Sequence, residues 1–146
     1  NDTPDIFMKT AKFAVEACID LPRFAIVTPF PNTGLYKRLE SEGRLLTRNW
    51  ELYDAQHVVF QPKRMTVQEL YDGHESAWKY TYSARSMIKR FLGSRIQIPV
   101  WWIANMGYRF YSHNLHDFYN SDWIIGQLGP QPAARPSADL LQVAGY

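Results

Sequence analysis

The sequence predicts a mainly α fold with a small α/β part, and three observations carry that reading. Phe24-Ala-Ile-Val27 is an apolar tetrapeptide of strand character that runs straight into a Thr-Pro-x-Pro-x-Thr turn. Helical patterns flank it on both sides, giving the helix–strand–helix rhythm of a parallel sheet or barrel. Beyond residue 66, two long helical patterns occupy most of the remaining chain. A strand without polar alternation is buried on both faces and needs neighbours on both sides. This chain encodes few such neighbours, so it reads as one piece of a larger α/β enzyme.

The first helix starts at Asp2-Thr-Pro-Asp5, where Thr3 is a capping residue, Pro4 suits the first turn and Asp5 favours the positive end of the dipole. Ile6, Phe7, Thr10, Ala11, Ala14, Ala17 and Cys18 recur at helical spacing and predict one apolar face, with Cys18 a small buried hydrophobe. After the strand, Pro29 and Pro31 fix their own φ angles and push Thr28 and Phe30 towards extended backbone. The corner is therefore stiff, and in parallel α/β folds ligands bind at that end of the strands. Thr28 and Thr33 offer hydroxyls there, although a rigid strand-to-helix connection with no ligand accounts for the same residues. Thr33 also reads as the cap of a helix from Leu35 to Glu42, closed by Gly43.

From Gly43 to Met65 the chain is irregular, with Val58 to Phe60 a short strand candidate and Trp50 and Tyr53 packing the segment down. Thr66-Val-Gln-Glu69 is a capping box. It opens one long helix whose apolar side runs from Val67 through His74 and Trp78 to Leu92, and which ends at Gly93-Ser94. Gly73 weakens its middle by about 1 kcal/mol relative to alanine. A second long helix starts at Ile98-Pro99, with Val100, Ile103, Ala104, Gly107, Tyr111 and Leu115 on one face. Trp101, Tyr108 and Phe110 make a second face, so the helix is central in a bundle or lies against a partner or bilayer surface. After Trp123-Ile-Ile-Gly126 the periodicity stops, and residues 121–146 read as an extended tail.

Composition narrows the function. The 146 residues suffice for one domain with a sizeable core. Net charge is +2 without a basic cluster, so nucleic acid is not an implied partner. No apolar run is long enough for a spanning helix. Asn1 is not an initiator, so the chain is expected to be processed, trimmed or partial. The single cysteine, Cys18, excludes an internal disulfide and fits a cytoplasmic protein. His57 reads as a lone structural histidine, His74 as a core histidine, and His113 and His116 beside Asp117 as at most half a metal site. No catalytic or metal-ligating set is predicted, and a free-standing metal hydrolase on His57, His113 and His116 lacks a further ligand at diagnostic spacing.

Five stretches in this order carry a resemblance: Thr28-Pro-Phe-Pro-Asn-Thr-Gly-Leu-Tyr36, Glu42-Gly-Arg44, Asn49-Trp-Glu-Leu-Tyr-Asp54, His57-Val-Val-Phe-Gln-Pro-Lys-Arg-Met65 and Ala104-Asn-Met-Gly-Tyr-Arg109. Together they resemble the carboxyl-terminal part of radical S-adenosylmethionine enzymes of the type that carries an upstream cobalamin-binding domain. The resemblance implies that residues 1–46 are the last helix–strand–helix of a partial (βα)6 barrel, with Phe24–Val27 its sixth strand. Residues 47–120 are then a carboxyl-terminal helical extension. It implies cleavage of S-adenosylmethionine by a [4Fe–4S] cluster, followed in cobalamin-dependent members by methyl transfer or rearrangement. The cluster loop, Cys-x-x-x-Cys-x-x-Cys, is absent here, so no cofactor is expected on this chain alone.

On the same resemblance, Thr28, Pro29, Pro31 and Thr33 line the S-adenosylmethionine end of the barrel. Arg44, Trp50, Tyr53 and His57 face substrate or brace a lid. Two positions depart from the family pattern. Asn32 stands where Pro-Gly-Thr has glycine, and asparagine tolerates left-handed backbone second best. Ala55 replaces the glycine of Tyr-Asp-Gly-x-His, which stiffens or shifts that loop. The expected function is thus a fragment of such an enzyme, not catalytic alone, whose partner is the rest of that enzyme. The alternative is a non-catalytic interaction subunit descended from one. It docks on a larger assembly, a membrane-associated one included, through the aromatic helix 99–120 and is then peripheral to the membrane.

Overall fold

The computed structural model describes residues 2–119 and 126, so the expected tail of residues 121–146 lies, apart from Gly126, outside the described residues. Among the described residues the architecture is mainly helical, with six α-helices and no strand. Helix α1 spans Asp5–Glu16, α2 Gly34–Ser41, α3 Val67–Thr81, α4 Ala84–Gly93, α5 Ile98–His113 and α6 Leu115–Phe118; a 3-10 turn covers Trp50–Leu52.

Two caps read from the sequence form as expected. Thr33 accepts the Tyr36 N–H at 3.2 Å. Thr66 and Glu69 make the complete reciprocal box. Thr3 does not cap α1; Pro4 takes the cap position and the Thr3 hydroxyl turns to the Asp5 carboxylate. Two helices end in the same way. Gly43 at φ +65° lets Arg44 N–H reach back to Leu39 O at 2.9 Å, which satisfies an orphan carbonyl. Cys18 does the same for α1 at φ +51°, with Ile19 N–H bonded to Ala14 O at 3.1 Å. Cys18 is therefore a half-buried helix terminator and not part of the helical apolar face.

Three element predictions need correction. Phe24–Val27 is no strand: its one backbone–backbone bond runs from Ile26 N–H to Ala55 O at 2.8 Å, and a ladder needs a regular partner that the described residues do not supply. Val58–Phe60 contributes one antiparallel bridge, Leu45 to Phe60. The single long helix after Thr66 breaks at Tyr82, because the Ser83 hydroxyl accepts the Ser86 N–H and starts α4 afresh.

Helix α1 lies against α3 and α4, and α3 against α5. The α1–α3 crossing explains Gly73, since a Cβ there would sit 2.2 Å from the Phe7 ring. One core cluster joins Ile26, Val58, Val67 and Tyr71 beneath the Phe24–Val27 segment. A second joins Trp78, Tyr82 and Leu115, with Phe24, Tyr108 and Tyr111 packed on it. Its rings are close, Trp78 stacking on Tyr82 at 5.6 Å and on Tyr108 at 5.9 Å.

The two apolar faces expected of α5 do not sort into one inward and one outward side: Trp101 of one and Leu115 of the other are buried, and Ile103 and Phe110 are exposed. Trp101, Asn105, Ser112 and the following Leu115 face inward, whereas Val100, Ile103, Met106 and Phe110 face solvent. The cause is Arg90, fully buried on α4. Its guanidinium donates to Ile19 O at 3.1 Å, Asp20 O at 2.7 Å, Thr81 O at 3.2 Å and Asn105 Oδ1 at 2.9 Å. A buried cation demands polar partners, so the side of α5 that carries Asn105 is drawn inward. No helix of the described residues is long and apolar enough to cross a membrane.

Candidate functional site

Residues 24–33 and 44–61 meet where Ile26 N–H bonds Ala55 O. Local chemistry builds each side of this junction. On one side, the Thr28 hydroxyl donates to Ile26 O at 3.1 Å and the Thr33 hydroxyl to Phe30 O at 2.6 Å. Asn32 between them takes φ +65°. Pro29 is buried and Pro31 exposed, so the proline corner has one face in the protein and one outside. Both threonine hydroxyl protons are thus spent on the turn itself.

On the other side, Asp54 organises a four-residue turn. Its Oδ1 accepts the N–H groups of Gln56 at 2.9 Å and His57 at 3.0 Å. Its Oδ2 lies 2.9 Å from His57 Nδ1. Burial works against the Asp54 carboxylate, yet these N–H donors and the His57 ring hold its pKa below the usual range. In neutral His57 the proton is on Nδ1, which leaves Nε2 as an acceptor. The His57 ring meets Tyr119 edge-on at 5.6 Å. Ala55, inside this turn, holds φ +66°, a geometry natural to glycine. The loop thus keeps a glycine-like backbone with an alanine in it, as the Asn32 corner does with an asparagine.

The four residues expected at a lid have separate roles. Arg44 donates through Nε to Gln61 O at 2.7 Å and pairs with Glu42 at 2.6 Å. Tyr53 is buried, its hydroxyl donates to Thr47 O at 2.7 Å, and burial raises its pKa. Trp50 is exposed and rests on Tyr53 at 4.9 Å and Tyr36 at 5.9 Å. His57 keeps Nε2 without a hydrogen bond, as do the exposed Trp50 at Nε1 and Arg44 at its second terminal nitrogen. Asp54 was missed as its partner, although Asp-x-x-His at a turn is a readable signal.

Beside this junction lies a cleft of about 650 Å³ between α1, α2 and the Phe24–Val27 segment. Of the predicted site residues it takes in Arg44 alone; Thr28, Pro29, Pro31, Thr33, Trp50, Tyr53 and His57 lie outside its lining. Its floor is apolar, with Ile6, Phe7, Ile26 and Leu39. Arg23 and Arg38 stand at its edge with no carboxylate within 4 Å among the described residues, and sequence reading singled out neither. Ala25 and Val27 also line it, and neither makes a backbone–backbone hydrogen bond among the described residues. Both residues are exposed, so water can satisfy these groups.

His74 is buried at the base of the same cleft. Burial depresses its pKa and the Phe24 carbonyl partly offsets that. Its Nε2 lies 3.2 Å from Phe24 O and 3.1 Å from Trp78 Nε1–H, and one nitrogen cannot donate to the first while accepting from the second. No group of three or more His, Cys, Asp or Glu side chains among the described residues is arranged to hold a metal ion.

Comparison with known proteins decides the family. The family described as Domain of unknown function (DUF4070) matches residues 33–131, more than half of the chain. This chain belongs to that family. The DUF4070 domain lies in the carboxyl-terminal part of cobalamin-binding radical S-adenosylmethionine methyltransferases, which is the resemblance carried by the Thr28–Tyr36 and His57–Met65 stretches. The chain is 27% identical over 110 residues to a bacteriochlorophyllide d C-12(1)-methyltransferase of Chlorobaculum tepidum, covering 75% of this chain and 24% of that protein. It is 32% identical over 63 residues to the bacteriochlorophyllide d C-8(2)-methyltransferase of the same organism, covering 43% of this chain and 14% of that protein. An uncharacterized methyltransferase of Pyrococcus horikoshii shares 33% over 70 residues, 48% of this chain and 15% of that one. The DUF4070 chain thus spans about a quarter or less of the length of these relatives. No solved structure matches.

Proposed function

We propose that this DUF4070 chain is the carboxyl-terminal part of a radical S-adenosylmethionine methyltransferase. In it, Phe24–Val27 is the last strand of a partial (βα)6 barrel, and the residues after 46 form a helical cover on it. The observation that carries the proposal is the unpaired edge at Ala25 and Val27, opening on an apolar cleft between two helices. A parallel barrel strand has that environment when its neighbour is taken away. The cleft is where the preceding strand is seated.

The chemistry of the donor set assigns the cofactors elsewhere. A [4Fe–4S] cluster needs three thiolates, and Cys18 is the single cysteine, its side chain against Gly93. These residues therefore do not fit the cluster. The corner Thr28, Pro29, Pro31 and Thr33 serves S-adenosylmethionine as a rigid wall at the carboxyl end of the strand, its hydroxyl protons already committed to the turn. Arg44, Trp50, Tyr53 and Asp54 brace the loop that holds His57, whose Nε2 is the group this part of the chain offers to substrate. Methyl transfer is the reaction class, as in the names of the relatives.

The test is the longer polypeptide encoded with this domain. It should carry a three-cysteine loop and, reconstituted anaerobically with iron and sulfide, release 5′-deoxyadenosine from S-adenosylmethionine. The 146-residue chain alone should release none. A longer polypeptide without the loop, or no polypeptide preceding this one, overturns the proposal and leaves the reading of an interaction subunit.

A further inference from the structure

Residues 76–116 hold six of the 16 lysines and arginines and none of the 14 acidic residues. Their solvent faces are apolar. On α4, Ile88 and Leu92 are exposed, Leu92 by 80%, and Arg85 and Lys89 alternate with them on the same outward side of the helix. On α5, Val100, Ile103, Met106 and Phe110 recur every three or four residues along the outward stripe, Ile103 exposed by 76% and Phe110 by 66%. Arg95, between the two helices, and Ile98, at the start of α5, are both exposed. Meanwhile the inward side of α5 carries Asn105 and Ser112, both fully buried. The helix has its polar groups inside and its aliphatic ones outside, the reverse of a helix facing water.

We propose that this surface, the outward faces of α4 and α5, lies on an anionic lipid bilayer. Charge decides the occupant. A protein surface that covers an apolar face ordinarily offers both signs of charge at its rim. On these outward faces and the link between them the charged residues Arg85, Lys89 and Arg95 are all cations, which complements a surface of phosphates alone. Ile103, Met106 and Phe110 enter the boundary between headgroups and acyl chains, and Arg85, Lys89 and Arg95 meet the lipid phosphates. The 16 residues of α5 are too few to span a bilayer and lie along its plane. Of the aromatic residues of the helix expected to dock, Trp101 and Tyr108 pack on Phe91 and Trp78 and hold it to the protein instead. The proposal does not depend on the methyltransferase reading.

The test is flotation of the longest polypeptide carrying this domain with vesicles of phosphatidylcholine, with and without phosphatidylglycerol. Binding is expected to the anionic vesicles only and to fall with added salt. Replacing Arg85, Lys89 and Arg95 together by glutamine should lower partitioning roughly a hundredfold, at about fivefold per charge. Ile103→Ser with Phe110→Ser should lower it more than about tenfold while leaving the thermal midpoint in place. Absence of flotation, equal binding to neutral vesicles, or unchanged binding by the glutamine variant overturns the proposal. So does a large loss of thermal stability in the serine variant, which would mean that further polypeptide covers the face.

Discussion

Arg90 gives the sharpest quantitative prediction, because one side chain joins four parts of the chain. It is fully buried, and no carboxylate lies within 4 Å of it among the described residues. Asp20 spends its own carboxylate on Trp101 Nε1 at 2.9 Å. Burial lowers the Arg90 pKa, and the cation is kept by carbonyl oxygens and by the Tyr82 ring, 4.9 Å away. Replacing it by methionine keeps an apolar stem of similar length and leaves four oxygens without that donor. Asp20 O retains the Asn105 amide at 3.2 Å, so three are left bare: Ile19 O, Thr81 O and Asn105 Oδ1. At about 1–3 kcal/mol for each, less what is recovered by no longer burying a cation, the loss is about 3 kcal/mol. Arg90→Lys keeps the charge without the planar fork and should lose about 2 kcal/mol. Equilibrium urea unfolding followed by tryptophan fluorescence reads both. A methionine variant within about 0.5 kcal/mol of the parent, or a lysine variant worse than methionine, refutes the reasoning.

Three further substitutions follow. Ala55→Gly should stabilise by about 0.5–1 kcal/mol, since relief of a left-handed alanine outweighs the extra chain entropy of glycine; a lowered urea midpoint would contradict it. Gly73→Ala should destabilise by about 1–2 kcal/mol, because a clash with the Phe7 ring exceeds the gain of about 1 kcal/mol in helix propensity; thermal denaturation decides the sign. His74 is held neutral by burial, so the unfolded chain takes up its proton near pH 6.5 before the folded one does. Stability from this group is complete above that pH and falls as the pH drops below it, by at most about 1.4 kcal/mol per unit. His74→Gln should flatten the urea midpoint between about pH 6.5 and about pH 5.5; an unchanged slope contradicts the assignment.

How much was legible in the sequence varies with the range of the interaction. Thr33, Gly43 and the Thr66–Glu69 box were read correctly, because caps depend on residues three or four apart. The break at Ser83 was missed because the apolar periodicity runs on through it and its cap signal is a single hydroxyl. Which side of α5 turns inward was not legible, because it is set by Arg90, at another point of the chain, through Asn105. Cys18 looks like core by composition, yet its φ of +51° makes it a helix terminator. The corner at Thr28–Thr33 and the turn at Asp54–His57 were named as site segments from the family pattern. Their contact through Ile26 and Ala55 required coordinates, since nothing local specifies it. Phe24–Val27 is the reverse case: its composition names a strand, and the ladder that would make it one is supplied by no described residue.

Amide hydrogen exchange at Ala25 and Val27 tests the central claim most directly. In the 146-residue chain both amides should exchange at rates close to those of free peptide. In the longer polypeptide they should be protected to the level of its most stable core. Protection already present in the short chain, or none in the long one, would mean that no sister strand is seated in the cleft, and the barrel reading would go with it.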